Sequence, residues 1–221
     1  MSQFVDGCCK TFTTGAALAQ FRRVYLSSGV LQYADAYTPD IGTTETATFA
    51  SGANVAVRLR NADGTRKMVA AAAITSGAYV YGAANGKIDD VGFVPVGIAL
   101  EAATADGDII EVLTIADVPD NVASIAAAGS AQGDATAVTA GINTVSAADG
   151  TKGVILPAAK AGLVVQVYNE HATNGLKVYP ATGDDINDGS ANAAVTMEGK
   201  GIARFTGLDT TTWAASFTVN A

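Results

Sequence analysis

The chain has 221 residues, with 13 Lys+Arg against 21 Asp+Glu and a formal net charge of -8. That acidity excludes a nucleic-acid surface, which needs clustered Lys and Arg to displace phosphate counterions. Charged residues make up only 15%, against about 25% in an average soluble domain, while the apolar fraction of 49% excludes disorder. A surface so poor in charge and so rich in Gly, Ala and Thr suits a chain that packs against other chains.

The first residues, Met1-Ser-Gln-Phe-Val-Asp-Gly-Cys-Cys-Lys10, lack the basic n-region and apolar h-region of a signal peptide. No apolar run reaches the roughly 20 residues of a membrane helix, so no membrane partner is expected. Cys8 and Cys9 are the only cysteines. A bridge between adjacent cysteines strains the peptide, and two thiols do not make a structural zinc site. Two reduced thiols are the expectation, with an inter-subunit disulfide as the alternative.

Strand signals then dominate. Val55-Ala-Val-Arg-Leu-Arg60 alternates as a half-buried strand does. The turn cluster Asn61-Ala-Asp-Gly64 follows, and Lys67-Met-Val resumes, so the segment reads as a hairpin. Ala78-Tyr-Val-Tyr81 meets Asn85-Gly86 and returns through Lys87 to Val91, a second hairpin, because both turn residues tolerate positive φ. Val94 to Leu100 and Asp108 to Ile115 are two more strands, joined by Thr104-Ala-Asp-Gly107. Only Ala16 to Gln20 and Ala123 to Ala128 carry helix propensity, and both are short and poorly capped.

From Asp117 to Thr151 the pattern loosens into small residues, which places a domain boundary at 118–122. Beyond it, Gly153-Val-Ile-Leu-Pro157 and Leu163-Val-Val-Gln-Val-Tyr168 are strands. Leu176-Lys-Val-Tyr179 is expected to pair back on the latter across the loop Asn169 to Gly175, which ends in Asn-Gly. Ala203 to Thr206 and Trp213 to Val219 close the chain around a turn at Leu208 to Thr212. No fixed-period repeat is visible. The fold class is all-β, with little helix: two small sandwich- or barrel-like domains in tandem. Residues 25–118 form the first, 119–221 the second, and 1–24 an N-terminal arm.

Motifs for chemistry fail on inspection. Gly77 to Gly82 has P-loop glycine spacing without the lysine, and Gly86-Lys87 is followed by Ile88. In Gly183-Asp-Asp-Ile-Asn-Asp-Gly189, oxygen ligands for a cation gather. Counting from Asp184 puts Ile186 at a ligand position, and counting from Asp185 puts Thr196 where a bidentate Glu belongs, so a polar loop with Asx turns is the better reading. Gly129-Ser-Ala-Gln-Gly133 sets its serine one place too early for a nucleophile elbow. His171 is the single histidine, in a loop beside Glu170 and Asn174, and reads as a hydrogen-bonded loop residue. Trp213, in an alternating run, reads as core. The expectation is a non-enzyme with no cofactor and no metal.

The first half resembles a family of tailed-phage capsid decoration proteins, also called cement or head-stabilisation proteins. The resemblance rests on Lys10-Thr-Phe-Thr-Thr-Gly-Ala-Ala-Leu18, Arg22-Arg-Val-Tyr-Leu-Ser-Ser-Gly29, Lys67-Met-Val-Ala-Ala-Ala-Ala-Ile-Thr-Ser-Gly77, Val96-Gly-Ile-Ala-Leu-Glu-Ala-Ala103 and Asp106-Gly-Asp-Ile-Ile-Glu-Val112, and covers about residues 10–115. The second half, with Val178-Tyr-Pro-Ala-Thr-Gly-Asp-Asp-Ile-Asn-Asp-Gly189, is similar to small β domains appended to phage structural proteins.

The resemblance implies a virion protein, made in the host bacterial cytoplasm, that binds the outside of the mature head. It implies bridging of major capsid protein subunits as a homotrimer at true or local three-fold axes. Phe4, Phe12 and Phe21 beside Lys10, Arg22 and Arg23 form a candidate capsid contact of apolar anchors and polar rim. If residues 1–26 are not an arm, this stretch is the first strand of the β domain. Arg58, Arg60, Arg66 and Lys67 bracket the first hairpin. They are either charges that guard exposed strand faces or a positive patch that docks on an acidic partner. The alternative function is a spike module in which the C-terminal domain contacts glycan or the host surface.

Overall fold

The computed structural model describes residues 8–116 and 118–218. The chain separates into two compact units, residues 1–119 and 120–221, and both are built of strands.

In the first unit ten strands run in order: β1 (Cys9–Thr13), β2 (Arg23–Ser27), β3 (Val30–Tyr33), β4 (Gly42–Thr44), β5 (Asn54–Leu59), β6 (Arg66–Val69), β7 (Tyr79–Gly82), β8 (Ile88–Asp89), β9 (Pro95–Ala99) and β10 (Ile109–Thr114). They form two five-stranded sheets, β1-β5-β4-β2-β3 and β6-β10-β9-β7-β8. Alternation decides which side chains point inward. Val55 and Val57 of β5 join Leu18, Val24 and Leu31 in one apolar cluster. Ile110 and Val112 of β10 join Met68, Val80, Ile88 and Val96 in another.

The hairpin at Asn85-Gly86 forms as its residues dictate: β7 and β8 pair antiparallel, and Asn85 and Gly86 take φ of 56° and 71°. β9 and β10 also pair antiparallel, with Asp108 accepting from Thr104 and Ala105 N–H to close the turn between them. The expected hairpin across Asn61 to Gly64 does not form. β5 and β6 lie in different sheets, and the Arg66 guanidinium donates to the Arg58 and Leu59 carbonyls at the end of β5. The connection is therefore a sheet-to-sheet crossing held by a buried arginine. Residues 9–13 and 23–24, which fall in the stretch read as an arm, lie in β1 and β2 of the first sheet, and β1 pairs along its whole length with β5.

The second unit winds. β11 (Val122–Ala126), β12 (Thr136–Ala137), β13 (Ile142–Ser146), β14 (Gly153–Ile155), β15 (Val164–Asn169) and β16 (Leu176–Tyr179) alternate between two sheets, so that β11-β13-β15 and β12-β14-β16 each run parallel. The closing strands are β17 (Asp185–Ile186), β18 (Val195–Met197), β19 (Ile202–Gly207) and β20 (Thr212–Thr218). β18 caps β16 and β19 caps β15, both antiparallel. Val145, Val165, Val167, Leu176, Val178, Phe205 and Trp213 fill the interior.

This corrects the expected pairing of 163–168 with 176–179: the two strands belong to different sheets. A type I′ turn needs positive φ at both of its central residues. Asn174 and Gly175 are not among the positive-φ residues, so this Asn-Gly does not reverse the chain as a hairpin. Asn169 turns it instead. Its buried amide donates to the Asn174 and Glu198 carbonyls, and its Oδ1 accepts from His171 N–H. Asn143, also fully buried, does the same at an earlier corner, accepting from Thr139 and Ala140 and donating to Ala140 and Gln166. Neither helix-prone segment is helical; Ala123 to Ala126 is part of β11.

Candidate functional site

The arginines separate into interior and surface groups. Arg23 and Arg66 are 0% and 2% exposed, so Arg23 is not the polar rim expected of it and Arg66 does not stand on an exposed strand face. Arg23 Nε lies 3.1 Å from Asp40 Oδ1, and Arg60 Nη1 lies 2.8 Å from the same oxygen. Arg23 also donates to the Lys87 and Thr38 carbonyls, and Arg60 to Pro95 O at 2.9 Å. Because Arg23 leaves β2 while Pro95 opens β9, this cluster ties the first sheet to the second. Burial pushes the Arg23 guanidinium below its ordinary value, and the Asp40 carboxylate opposes that shift. Gly82 leaves the room for this arginine: a Cβ there would sit 2.5 Å from Arg23 Nη1.

Phe21, Arg58 and Lys67 gather with the buried Arg66 at a surface depression of about 360 Å³, lined by Phe21, Glu45, Arg58, Thr65, Arg66, Lys67, Glu101 and Glu111. Phe21 is held in the left-handed region, at φ 58°, by its N–H donating to Thr44 O at 2.8 Å. Lys67 Nζ lies over its ring, 5.7 Å from the centroid. Arg58 bonds the Asp63 carbonyl, and Thr65 bonds Glu111. Three cations and three carboxylates share this wall, so it is a mixed-charge surface and not the positive patch read from the basic residues alone.

Lys10 and Phe12 lie apart from it on β1, with the ammonium 5.6 Å from the ring centroid and Phe12 packed on the first apolar cluster. Arg22 donates to Asn85 O at 3.3 Å. Phe4 lies outside the described residues. Cys8 and Cys9 are free thiols with sulfurs 3.3 Å apart. Sequence reasoning missed Asp40; its only signal is an unremarkable Pro-Asp in a loop.

In the second unit the tempting motifs are occupied with structure. His171 Nδ1 accepts from Thr173 and Asn174 N–H, which caps its loop. Asp184 is buried and accepts from Ala159 N–H at 2.7 Å. Asn187 accepts from Ala215 N–H at 2.7 Å. Trp213 is fully buried, as its alternating run predicts. Among the described residues, no three His, Cys, Asp or Glu side chains gather in a way that could hold a metal ion, and no helix is long and apolar enough to cross a membrane.

In the first unit, the buried Arg23, Asp40 and Arg66 join two sheets, and the depression at Phe21 is mixed in charge. The family model of phage cement proteins matches residues 6–114, nearly the whole of this unit and just under half of the chain, and supports a phage capsid cement family for it. Both units are built almost wholly of strands, and the match supports a structural role in the bacteriophage capsid. No curated protein matches the chain.

Proposed function

We propose that the protein binds the outer surface of a phage head and stabilises it by bridging major capsid protein subunits, as a homotrimer at three-fold or quasi-three-fold positions. The observation that carries this reading is the cement-protein match over residues 6–114. Physical chemistry supports it. Copies joined in one trimer would grip several capsid subunits at once, so modest single contacts multiply into strong avidity. A β unit whose sheets are cross-tied by Arg23, Asp40 and Arg60 is pre-organised, and a rigid clamp loses little entropy on binding. The chain performs no catalysis in this role. The first unit makes the capsid contact, through surface residues that include Lys10, Phe12, Phe21 and Lys67, while the second unit projects outward.

Light scattering on the purified chain, followed by co-sedimentation with undecorated heads, tests the reading. A trimer mass and saturable co-sedimentation are expected. A monomer that stays in the supernatant would overturn it, and glycan binding by the second unit would then take its place.

A further inference from the structure

Successive side chains on a strand point to opposite faces, so neighbouring cysteines in regular β structure hold their sulfurs apart. Cys8 and Cys9 depart from that rule. Cys9 is the first residue of β1, where it pairs with Arg58, while Cys8 lies in the bend just before the strand. The bend turns the Cys8 side chain toward its neighbour, and the two sulfurs stand 3.3 Å apart, within hydrogen-bonding contact. Both thiols are free. The peptide between them is anchored, because the Cys8 carbonyl accepts from Leu59 N–H at 3.0 Å at the end of β5.

The two sulfurs differ in access. Cys8 is exposed and Cys9 is half-buried. Burial, and then Cys8 itself, push the Cys9 thiol up to about 11, and the thiolate is the form that attacks a disulfide. A disulfide-bearing molecule from solution therefore meets Cys8 first, with Cys9 already in contact behind it.

We infer that Cys8 and Cys9 form a reversible thiol–disulfide couple at the start of β1, closed by a small-molecule disulfide and reopened by thiols. The Cys8 thiolate attacks one sulfur of the small disulfide, forms a mixed disulfide and expels one thiolate. Cys9 then gives its proton to water and attacks Cys8 Sγ, which expels the second thiolate. Both released thiolates take up protons. The protein loses two hydrogens and gains one S–S bond; the small disulfide is reduced to two thiols. A partner thiol already in contact outruns one on another copy, because its effective concentration is far higher. The closed ring strains the peptide, and strained or exposed disulfides are the labile ones, so the bond is a reversible modification and not a structural staple. The couple is independent of the capsid-binding reading and stands or falls without it.

The test incubates full-length wild type, Cys8→Ser and Cys9→Ser with excess oxidised glutathione at about pH 8. Samples are quenched with acid, alkylated in denaturant, and read by intact-mass spectrometry and non-reducing gel electrophoresis. Wild type is expected to lose two hydrogens, to carry neither glutathione nor alkyl groups, and to run as a single chain. Dithiothreitol should return both thiols. Cys9→Ser is expected to stop at a glutathione adduct on Cys8, and Cys8→Ser to react more slowly through its half-buried sulfur. Wild type that retains a glutathione adduct, cross-links to a second chain or keeps both thiols free would overturn the couple. Equal rates for the two single variants would overturn the order in which the sulfurs act.

Discussion

Replacing Asp40 by alanine removes the one carboxylate that faces both Arg23 and Arg60. The Asp40 and Arg23 side chains are 0% exposed, whereas Arg60 is 31% exposed. Arg60 can therefore turn to water, while Arg23 is left as a buried cation with only carbonyl partners at Lys87 and Thr38. Breaking a buried pair in this way costs about 3–5 kcal/mol, a large share of the roughly 5–15 kcal/mol that holds a domain folded. For a unit of this size the loss corresponds to a fall in Tm on the order of 10–20 °C. Differential scanning calorimetry on Asp40→Ala reads it directly. The double variant Arg23→Met/Asp40→Ala should recover part of the loss, because no unpaired buried charge remains. A single variant within about 1 kcal/mol of wild type would refute the reasoning that this cluster ties the two sheets.

Two further outcomes follow from titrating groups. Asp149 is held below the usual carboxylate range by hydrogen bonds from Lys152 N–H and from the Thr151 hydroxyl and N–H, and Asp209 is lowered in the same way by Thr211 and Thr212. The folded state then binds fewer protons than the unfolded one. The contribution of these turns is full above the ordinary Asp value of about 3.9 and is lost as pH falls below it. Denaturant midpoints measured from pH 7 to pH 2 should show this acid loss in the second unit, and Asp149→Asn should flatten the profile; an unchanged profile would contradict the assignment. Cys9 is pushed up to about 11, first by burial and then by Cys8. Tandem mass spectrometry after iodoacetamide treatment should find Cys9 slow to alkylate at pH 8 and reactive above about pH 10.

Local order was legible in the sequence wherever residue type alone decides it. Asn85-Gly86 and Thr104 to Asp108 announce turns because positive φ and side-chain capping are local properties, and the alternation of Val55 and Val57 marks an inward face. Partner choice was not legible. Asn174-Gly175 has the same dipeptide as Asn85-Gly86 but takes no positive φ, since the buried Asn169 amide sends the chain to the other sheet. The parallel winding of the second unit also hides from a search for repeats. Thr136 pairs with Val154, but Gly153 pairs with Lys177, so successive coils differ in length.

The candidate site divides along the same line. Phe21, Arg58, Arg66 and Lys67 do converge on one depression, but the acids that balance them come from distant positions, Glu45, Glu101 and Glu111. Arg23 looks like a surface charge in sequence because its partner Asp40 lies 17 residues away.

The proposed role of this protein is to strengthen a phage head. The most direct measurement is the temperature at which heads disrupt, followed by light scattering and negative-stain microscopy, with and without saturating protein. Saturated heads are predicted to survive to a distinctly higher temperature than undecorated ones, in proportion to the copies bound. Heads that carry the protein at full occupancy and disrupt at the same temperature as bare heads would contradict the account.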